Sequence, residues 1–298
     1  MSQGTESPPS SPASQPMQHG HRPAASAQAP ATLVPEAGWH VLHLFYRVDR
    51  ATLAALPEAA RARGREELIR ILDASAPGAP AQLQAFAVPG HKADFGVMTA
   101  GPDLRAIHAV QAALESSALG PALVPTYSFY SITEISEYVL GLEEYARVLR
   151  EREGADPESP AYLAKVAAYG NRLEPMNQQR LYPDFPDWPC LCFYPMSKMR
   201  QGEQNWYTLP FAERADLMSQ HGKSGMKFAG KVSQLITAST GLDDWEWGVT
   251  LWGRNPTYLK DIVYTMRFDE SSAIYALFGP FYFGFILPPA ELLAAVRL

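Results

Sequence analysis

The sequence predicts an α+β fold: two similar ferredoxin-like halves, set side by side as one larger sheet or as a barrel with helices outside. Three observations predict it. Residues 37–175 and 176–298 both read as the β-α-β-β-α-β order of elements. The string Phe95-Gly-Val-Met-Thr-Ala-Gly-Pro stands before one helical stretch. It is echoed 152 positions later by Trp247-Gly-Val-Thr-Leu-Trp-Gly-Arg, also before a helical stretch, as a duplication would leave it. The chain has 298 residues, 47% hydrophobic and 19% charged, so each half can bury a core without a disulfide or metal staple.

Residues 1–36 are rich in Ser, Pro, Ala and Gln, with Glu6 and Arg22 the sole charges before Glu36. Such a stretch buries too little apolar surface to offset ordering, so a disordered tail is expected. Trp39–Tyr46 reads as a strand by its aromatic and β-branched content. Residues 51–75 read as a helix, with Leu53, Leu56, Ala60, Leu68 and Ile71 on one stripe. Leu83–Val88 and Phe95–Thr99 are predicted strands around a Pro89-Gly90 turn. Asp103 caps a helix carrying Leu104, Ile107, Val110 and Leu114, and a strand follows over Thr126–Ile132. Residues 137–170 read as helical, interrupted by a Gly154–Pro160 linker. In the second half, Cys190–Tyr194, Trp245–Trp252 and 279–286 are predicted strands. Residues 210–238, broken near Gly222–Gly225, and 256–267 are predicted helices.

Several functions are excluded at this level. The charge sum is −6, which argues against nucleic acid or an anionic membrane surface as a partner. The start has neither a basic nor an apolar leader region, and the apolar stretch from Tyr275 to Val296 is broken by prolines and glycines. No membrane span is therefore expected, and a cytoplasmic location is. GxSxG, Walker, GxGxxG and HExxH patterns are lacking. The two cysteines, Cys190 and Cys192, cannot form a metal site built from four thiolates and read as packing residues of one strand face.

His221 stands out among seven histidines. It shares a helix face with Leu217 and Met218, and Gly222 and Gly225 leave room beside it for a planar group. Alone it reads either as a core histidine or as an axial ligand to haem iron. Basic residues gather around it in sequence: Arg180, Lys198, Arg200, Lys223, Lys227 and Lys231. That density in an acidic chain suits an anionic ligand such as a porphyrin carboxylate.

Five strings, taken in order, resemble the chlorite dismutase superfamily, and within it the coproheme decarboxylase branch. They are Asn205-Trp-Tyr-Thr-Leu-Pro, His221-Gly, Phe228-Ala-Gly-Lys-Val-Ser-Gln, Ser239-Thr-Gly-Leu-Asp-Asp-Trp-Glu-Trp-Gly-Val and Met266-Arg-Phe-Asp-Glu-Ser-Ser-Ala. The resemblance spans roughly residues 38–290 and is densest from 180 onward. It implies two ferredoxin-like halves closed into one barrel, assembled as a homopentamer. By the same resemblance His221 is the axial iron ligand, Tyr194 the tyrosine that forms a radical, and Lys198 the lysine beside the propionates. Arg180 and Ser272 match propionate-binding positions, and Met196 and Trp206 pocket positions. Gln234 stands where chlorite-degrading members carry arginine, which points to the decarboxylase branch. Implied with these are iron coproporphyrin III as substrate and redox cofactor, hydrogen peroxide as oxidant, harderoheme as intermediate and haem b as product. A coproporphyrin ferrochelatase is the implied transient partner. A chlorite dismutase, a peroxidase and a non-enzymatic haem carrier are the alternatives.

Overall fold

A computed structural model describes residues 31–298 of the chain. The predicted tail falls mainly on residues 1–30, which lie outside the described residues. From Leu33 to Leu298 the chain forms one compact unit. Its first half runs β1 (His40–Val48), α1 (Arg50–Ala55), α2 (Glu58–Ile71), β2 (Gln82–Ala87), β3 (Phe95–Gly101), α3 (Leu104–Ser116) and β4 (Leu123–Thr133). Two helices follow, α4 (Leu142–Glu151) and α5 (Pro160–Leu181). Then come β5 (Cys190–Lys198), the short pair β6 (Arg200–Gln201) and β7 (Gln204–Asn205), and α6 (Phe211–Met226). The chain continues with β8 (Val232–Ala238), β9 (Trp247–Gly253), α7 (Pro256–Met266), α8 (Glu270–Ala273), β10 (Ala276–Phe278), β11 (Tyr282–Ile286) and α9 (Pro289–Ala295).

Nine strands form one antiparallel sheet in the order β10-β5-β11-β2-β3-β1-β4-β8-β9, and β5 also pairs with β9, joining the two ends of the row. One face of this sheet is lined by Phe45, Phe86, Phe129, Phe193, Trp252 and Tyr282. The other face packs against helices. Leu68 of α2, Leu72 just after it and Leu114 of α3 meet the first-half strands there, joined by Leu292 and Leu293 of α9. On the second-half strands Cys190, Cys192 and Tyr194 of β5 and Val249 and Leu251 of β9 meet Leu259 and Ile262 of α7. β5 is thus buried on both faces, which is why its sequence reads as a nearly unbroken apolar run.

The echoed strings occupy equivalent places: β3 leads into α3, and β9 into α7. Their shared glycine has a packing reason. A Cβ on Gly96 would stand 2.4 Å from Phe86, and one on Gly248 would stand 2.5 Å from Phe129. Both rings belong to the aromatic face and are fully buried. Gly248→Ala is therefore expected to destabilise the fold by about 1–3 kcal/mol, seen as a lowered midpoint in denaturant at unchanged slope.

Three expectations need correction. The helix expected over 51–75 is two helices, because Pro57 lacks an N–H and drives Leu56 to an extended ψ of 139°. The helix expected over 210–238 ends at Met226. It runs unbroken through Gly222 and Gly225, and residues 232–238 form strand β8 instead. Gly230 at φ +75° ends the connecting turn, and the β-branched Val232, Ile236 and Thr237 suit a pleated surface. The strand expected over 279–286 begins at Tyr282, since Gly279–Phe281 is the connector from β10.

Candidate functional site

β5 carries the first group of expected site residues. Tyr194, Met196 and Lys198 alternate along it, so all three side chains project from its helix-packed face. Tyr194 is buried, with its ring stacked on Phe281 at 4.5 Å and tilted against Phe278 at 5.8 Å. Its hydroxyl has no hydrogen-bond partner among the described residues. Burial pushes the phenol pKa up beyond its ordinary range, with Cys192 adding and Arg267 opposing. The phenol therefore keeps its proton at any physiological pH.

Lys198 is also buried, 7% exposed. Its Nζ donates to the Ser271 carbonyl at 2.9 Å and lies 4.0 Å from the centroid of the Trp206 ring. Burial lowers its pKa to about 8, against the opposing field of Glu246. Trp206 is held in a 3-10 turn, 2% exposed, its ring packed on Tyr275 at 5.5 Å.

α6 carries His221. Its Nδ1 lies 3.1 Å from Asp269 Oδ2, and the other carboxylate oxygen accepts from Ser224 Oγ at 2.7 Å. Ser272 Oγ stands 3.5 Å from the same Nδ1. Burial lowers the His221 pKa and Asp269 raises it back in part. The neutral ring gives its Nδ1–H to Asp269 and leaves Nε2, with a free lone pair, unpartnered among the described residues. That is the arrangement in which a carboxylate fixes a metal-binding imidazole.

Gln234, on β8, is exposed. It faces α6: a Cβ placed on Gly225 would stand 3.3 Å from its Nε2 and 3.2 Å from the Met266 methyl. Gly225 follows His221 by one helical turn, so the two share a helix face that approaches β8.

Lys198, Trp206, His221 and Ser272 are linked through Ser271 and Asp269, Tyr194 and Met196 share a strand face with Lys198, and Gln234 lies against Gly225 on the His221 helix. Arg180 stands apart. It sits in the last turn of α5 and no hydrogen bond, ion pair or ring contact ties it to the others. Burial lowers its pKa, Tyr169 opposes this, and no anion pairs with it among the described residues.

Two residues of this neighbourhood escaped the sequence reading. Asp269 lies 48 positions from His221. Directly before α8 it reads as a helix cap, yet its side chain makes no capping bond and turns to His221 and Ser224 instead. Arg267, with its guanidinium 4.6 Å from the Phe278 ring centroid and no ion pair among the described residues, is the cation whose field reaches Tyr194. It lines a cavity of about 430 Å³ with Cys192, Leu259, Val263, Phe281 and Phe283. Cys190 and Cys192 are free thiols, both buried. Tyr127 and Tyr130 point elsewhere: Tyr127 stacks on Tyr282 of the aromatic face, and the Tyr130 hydroxyl bonds His40 Nδ1 at 2.7 Å.

The chlorite dismutase family model matches residues 61–287. A coproheme decarboxylase of Staphylococcus carnosus is 38% identical over 264 residues, covering 88% of this chain and 96% of that protein. A coproheme decarboxylase of Thermus thermophilus is 41% identical over 267 residues, covering 88% of this chain and 95% of its own. A solved structure of a heme-binding protein from the same species superposes with a TM-score of 0.71 at 39% identity, covering 88% of this chain and 96% of that one.

Proposed function

This chain belongs to the chlorite dismutase family, and we propose that it is the enzyme that decarboxylates iron coproporphyrin III twice, through harderoheme, to haem b. The observation that carries the proposal is the link between two groups through adjacent residues of one segment. His221 has its Nδ1 tied to Asp269 and near Ser272, and Lys198, the buried ammonium of β5 that shares its strand face with the buried Tyr194 phenol, bonds the Ser271 carbonyl. The residues fit a large anionic planar ligand. Gly222, next to His221, has open space where a side chain would stand, and Arg180 and Arg267 are cations without a protein anion among the described residues.

Each step converts a propionate to a vinyl group. RCH2CH2COO−, H2O2 and H+ give RCH=CH2, CO2 and two H2O. Iron bound at His221 Nε2 supplies, with peroxide, the oxidising power for this. Tyr194 gives up its phenolic hydrogen and takes one from the propionate β-carbon. Because its pKa is raised, the phenol is not ionised beforehand, so a proton has to be taken from it as well as an electron. Phe278 and Phe281 wall the ring off from water and hold its plane. Lys198 and Arg267 hold propionate carboxylates, Lys198 as a point charge that also gives or takes a proton. Ser272, Met196 and Trp206 shape the same edge. Gln234 offers a neutral amide where an oxyanion-stabilising guanidinium would favour chlorite chemistry. Supported by the family likeness alone are the barrel of two ferredoxin-like halves divided near 175/176, the homopentamer and the ferrochelatase handover. The cytoplasmic location belongs with them; among the described residues no helix is long and apolar enough to cross a membrane.

Titrating the protein loaded with iron coproporphyrin III with peroxide, and weighing the extracted porphyrin, tests the proposal. Stepwise loss of two carboxyl groups through a three-propionate species is the expected result. Binding without mass change points to a carrier, and bleaching alone to a peroxidase.

A pH effect follows from Lys198. Its pKa is near 8 in the free protein, so the ammonium is present below that value and lost above it. Coproheme affinity is expected to fall about tenfold per pH unit above about 8, until the higher pKa of the bound state is passed, and to be flat from about pH 6 to 7.5. An absorbance titration across about pH 6–9.5 measures it, and Lys198→Met removes the slope.

A further inference from the structure

Among the described residues, Lys198 is a buried cation with no carboxylate on its Nζ, which bonds a carbonyl and faces an indole ring. Such a group sheds its proton unless an anion stands near. The anion is Glu246, the residue before β9. Its side chain is 7% exposed, and its Oε2 accepts the backbone N–H of Lys198 at 2.7 Å. Its own backbone N–H is spent on the Ser197 hydroxyl at 3.2 Å and the Met196 carbonyl at 3.1 Å. The turn before β9 is thus bolted to the end of β5 from both sides, and the carboxylate has nowhere else to go. A buried carboxylate costs several kcal/mol to desolvate, which one backbone hydrogen bond does not offset.

We infer that Glu246 is a positioning residue for Lys198, its buried carboxylate supplying the counter-charge that keeps the lysine an ammonium at the edge of the site. The inference rests on the reading of Lys198 as the cation that meets a substrate carboxylate. The other charged groups around the pair do not replace Glu246. From α6, His221 faces Lys198, and Asp269 is engaged with His221 and Ser224. Arg200 of β6 lies 3.7 Å from Glu246 Oε1 but is 65% exposed, so solvent screens it. The Tyr207 phenol, on the 3-10 turn, also faces the Glu246 carboxylate; burial first and that carboxylate second push its pKa up. Trp206 and the Ser271 carbonyl carry no charge.

The test reads Lys198 directly, in the substrate-free protein, by the pH dependence of its 13Cε resonance, assigned by its loss in Lys198→Met. The wild-type midpoint is expected near 8. In Glu246→Gln the amide oxygen still accepts the Lys198 N–H, so the fold is kept, and the midpoint is expected to fall by about one unit or more. Coproheme affinity at about pH 7.5 then drops about threefold and recovers at about pH 6, as a one-unit fall in that midpoint requires. In a Lys198→Arg background, where the charge no longer titrates, Glu246→Gln leaves the pH profile of binding unmoved. A folded Glu246→Gln protein whose Lys198 midpoint stays within about 0.3 unit of wild type overturns the inference. Should the Gln protein not fold, Glu246→Asp decides: it keeps the charge, so a midpoint within about half a unit supports the role and a full-unit fall overturns it. Because the resonance is read without porphyrin, a wild-type protein that failed to decarboxylate would sink the proposed function and leave this result standing.

Discussion

Tyr194→Phe is expected to abolish decarboxylation while leaving the fold and coproheme binding almost untouched. The separation is sharp because of how the phenol is housed. Its hydroxyl has no hydrogen-bond partner among the described residues, so deleting the oxygen leaves no orphaned donor or acceptor behind. The ring keeps its stack on Phe281 and its edge against Phe278. Stability is therefore expected to change by less than about 0.5 kcal/mol, within the range of harmless substitutions. The rate of CO2 release per peroxide should fall by at least about a thousandfold, the scale seen when a group acting only in the reaction itself is removed. Mass spectrometry of the extracted porphyrin, beside a binding titration, checks both halves of the expectation. Normal turnover by the Phe protein would transfer the radical to another residue.

The second large effect is expected at His221. His221→Ala removes the Nε2 lone pair and also strands Asp269, whose side chain is 13% exposed and keeps Ser224 alone as a partner. Affinity for iron coproporphyrin III should drop about a hundredfold, the upper range for losses at metal-supporting residues. The iron-free porphyrin, held by its carboxylates alone, should bind as it does to wild type. Added imidazole should restore much of the iron-dependent difference, since the space beside Gly222 is open. Equal losses for both porphyrins would mean that His221 serves the pocket wall rather than the metal. Asp269→Asn should fall between, because an amide holds the ring less firmly and reverses the preferred tautomer.

Much of this was legible in the sequence where one face of an element was apolar and the other was not. α3 and α7 present their buried residues at helical spacing, Ile107, Val110 and Leu114 in one and Leu259 and Ile262 in the other. β8 was not legible. It carries Ser233, Gln234 and Thr237 among its apolar residues, and it follows a helix with no proline between. The mixed pattern suits either period. The site was legible where chemistry is rare for its place, as with a histidine beside glycines or a lysine in an aromatic strand. It was illegible where a residue has an ordinary local use. Asp269 looks like a cap and Glu246 like one more acid in a turn. Only the fold shows that both carboxylates are turned inward, toward a histidine and a lysine far away in the chain.

The place of α9 governs how the chain reaches its structure. Leu68, Leu114 and Leu119, all in the first half, close their cluster with Leu292, Leu293 and Val296. Those partners emerge from the ribosome more than 170 residues later than Leu119. Until then the nascent first half displays a greasy patch with no mate, and the β5–β9 seam that would steady it is likewise unmade. Contacts so distant in sequence make for slow folding through partly structured intermediates and a long exposure to aggregation. The protein is expected to depend on chaperones during synthesis more heavily than its thermal stability, once complete, would suggest.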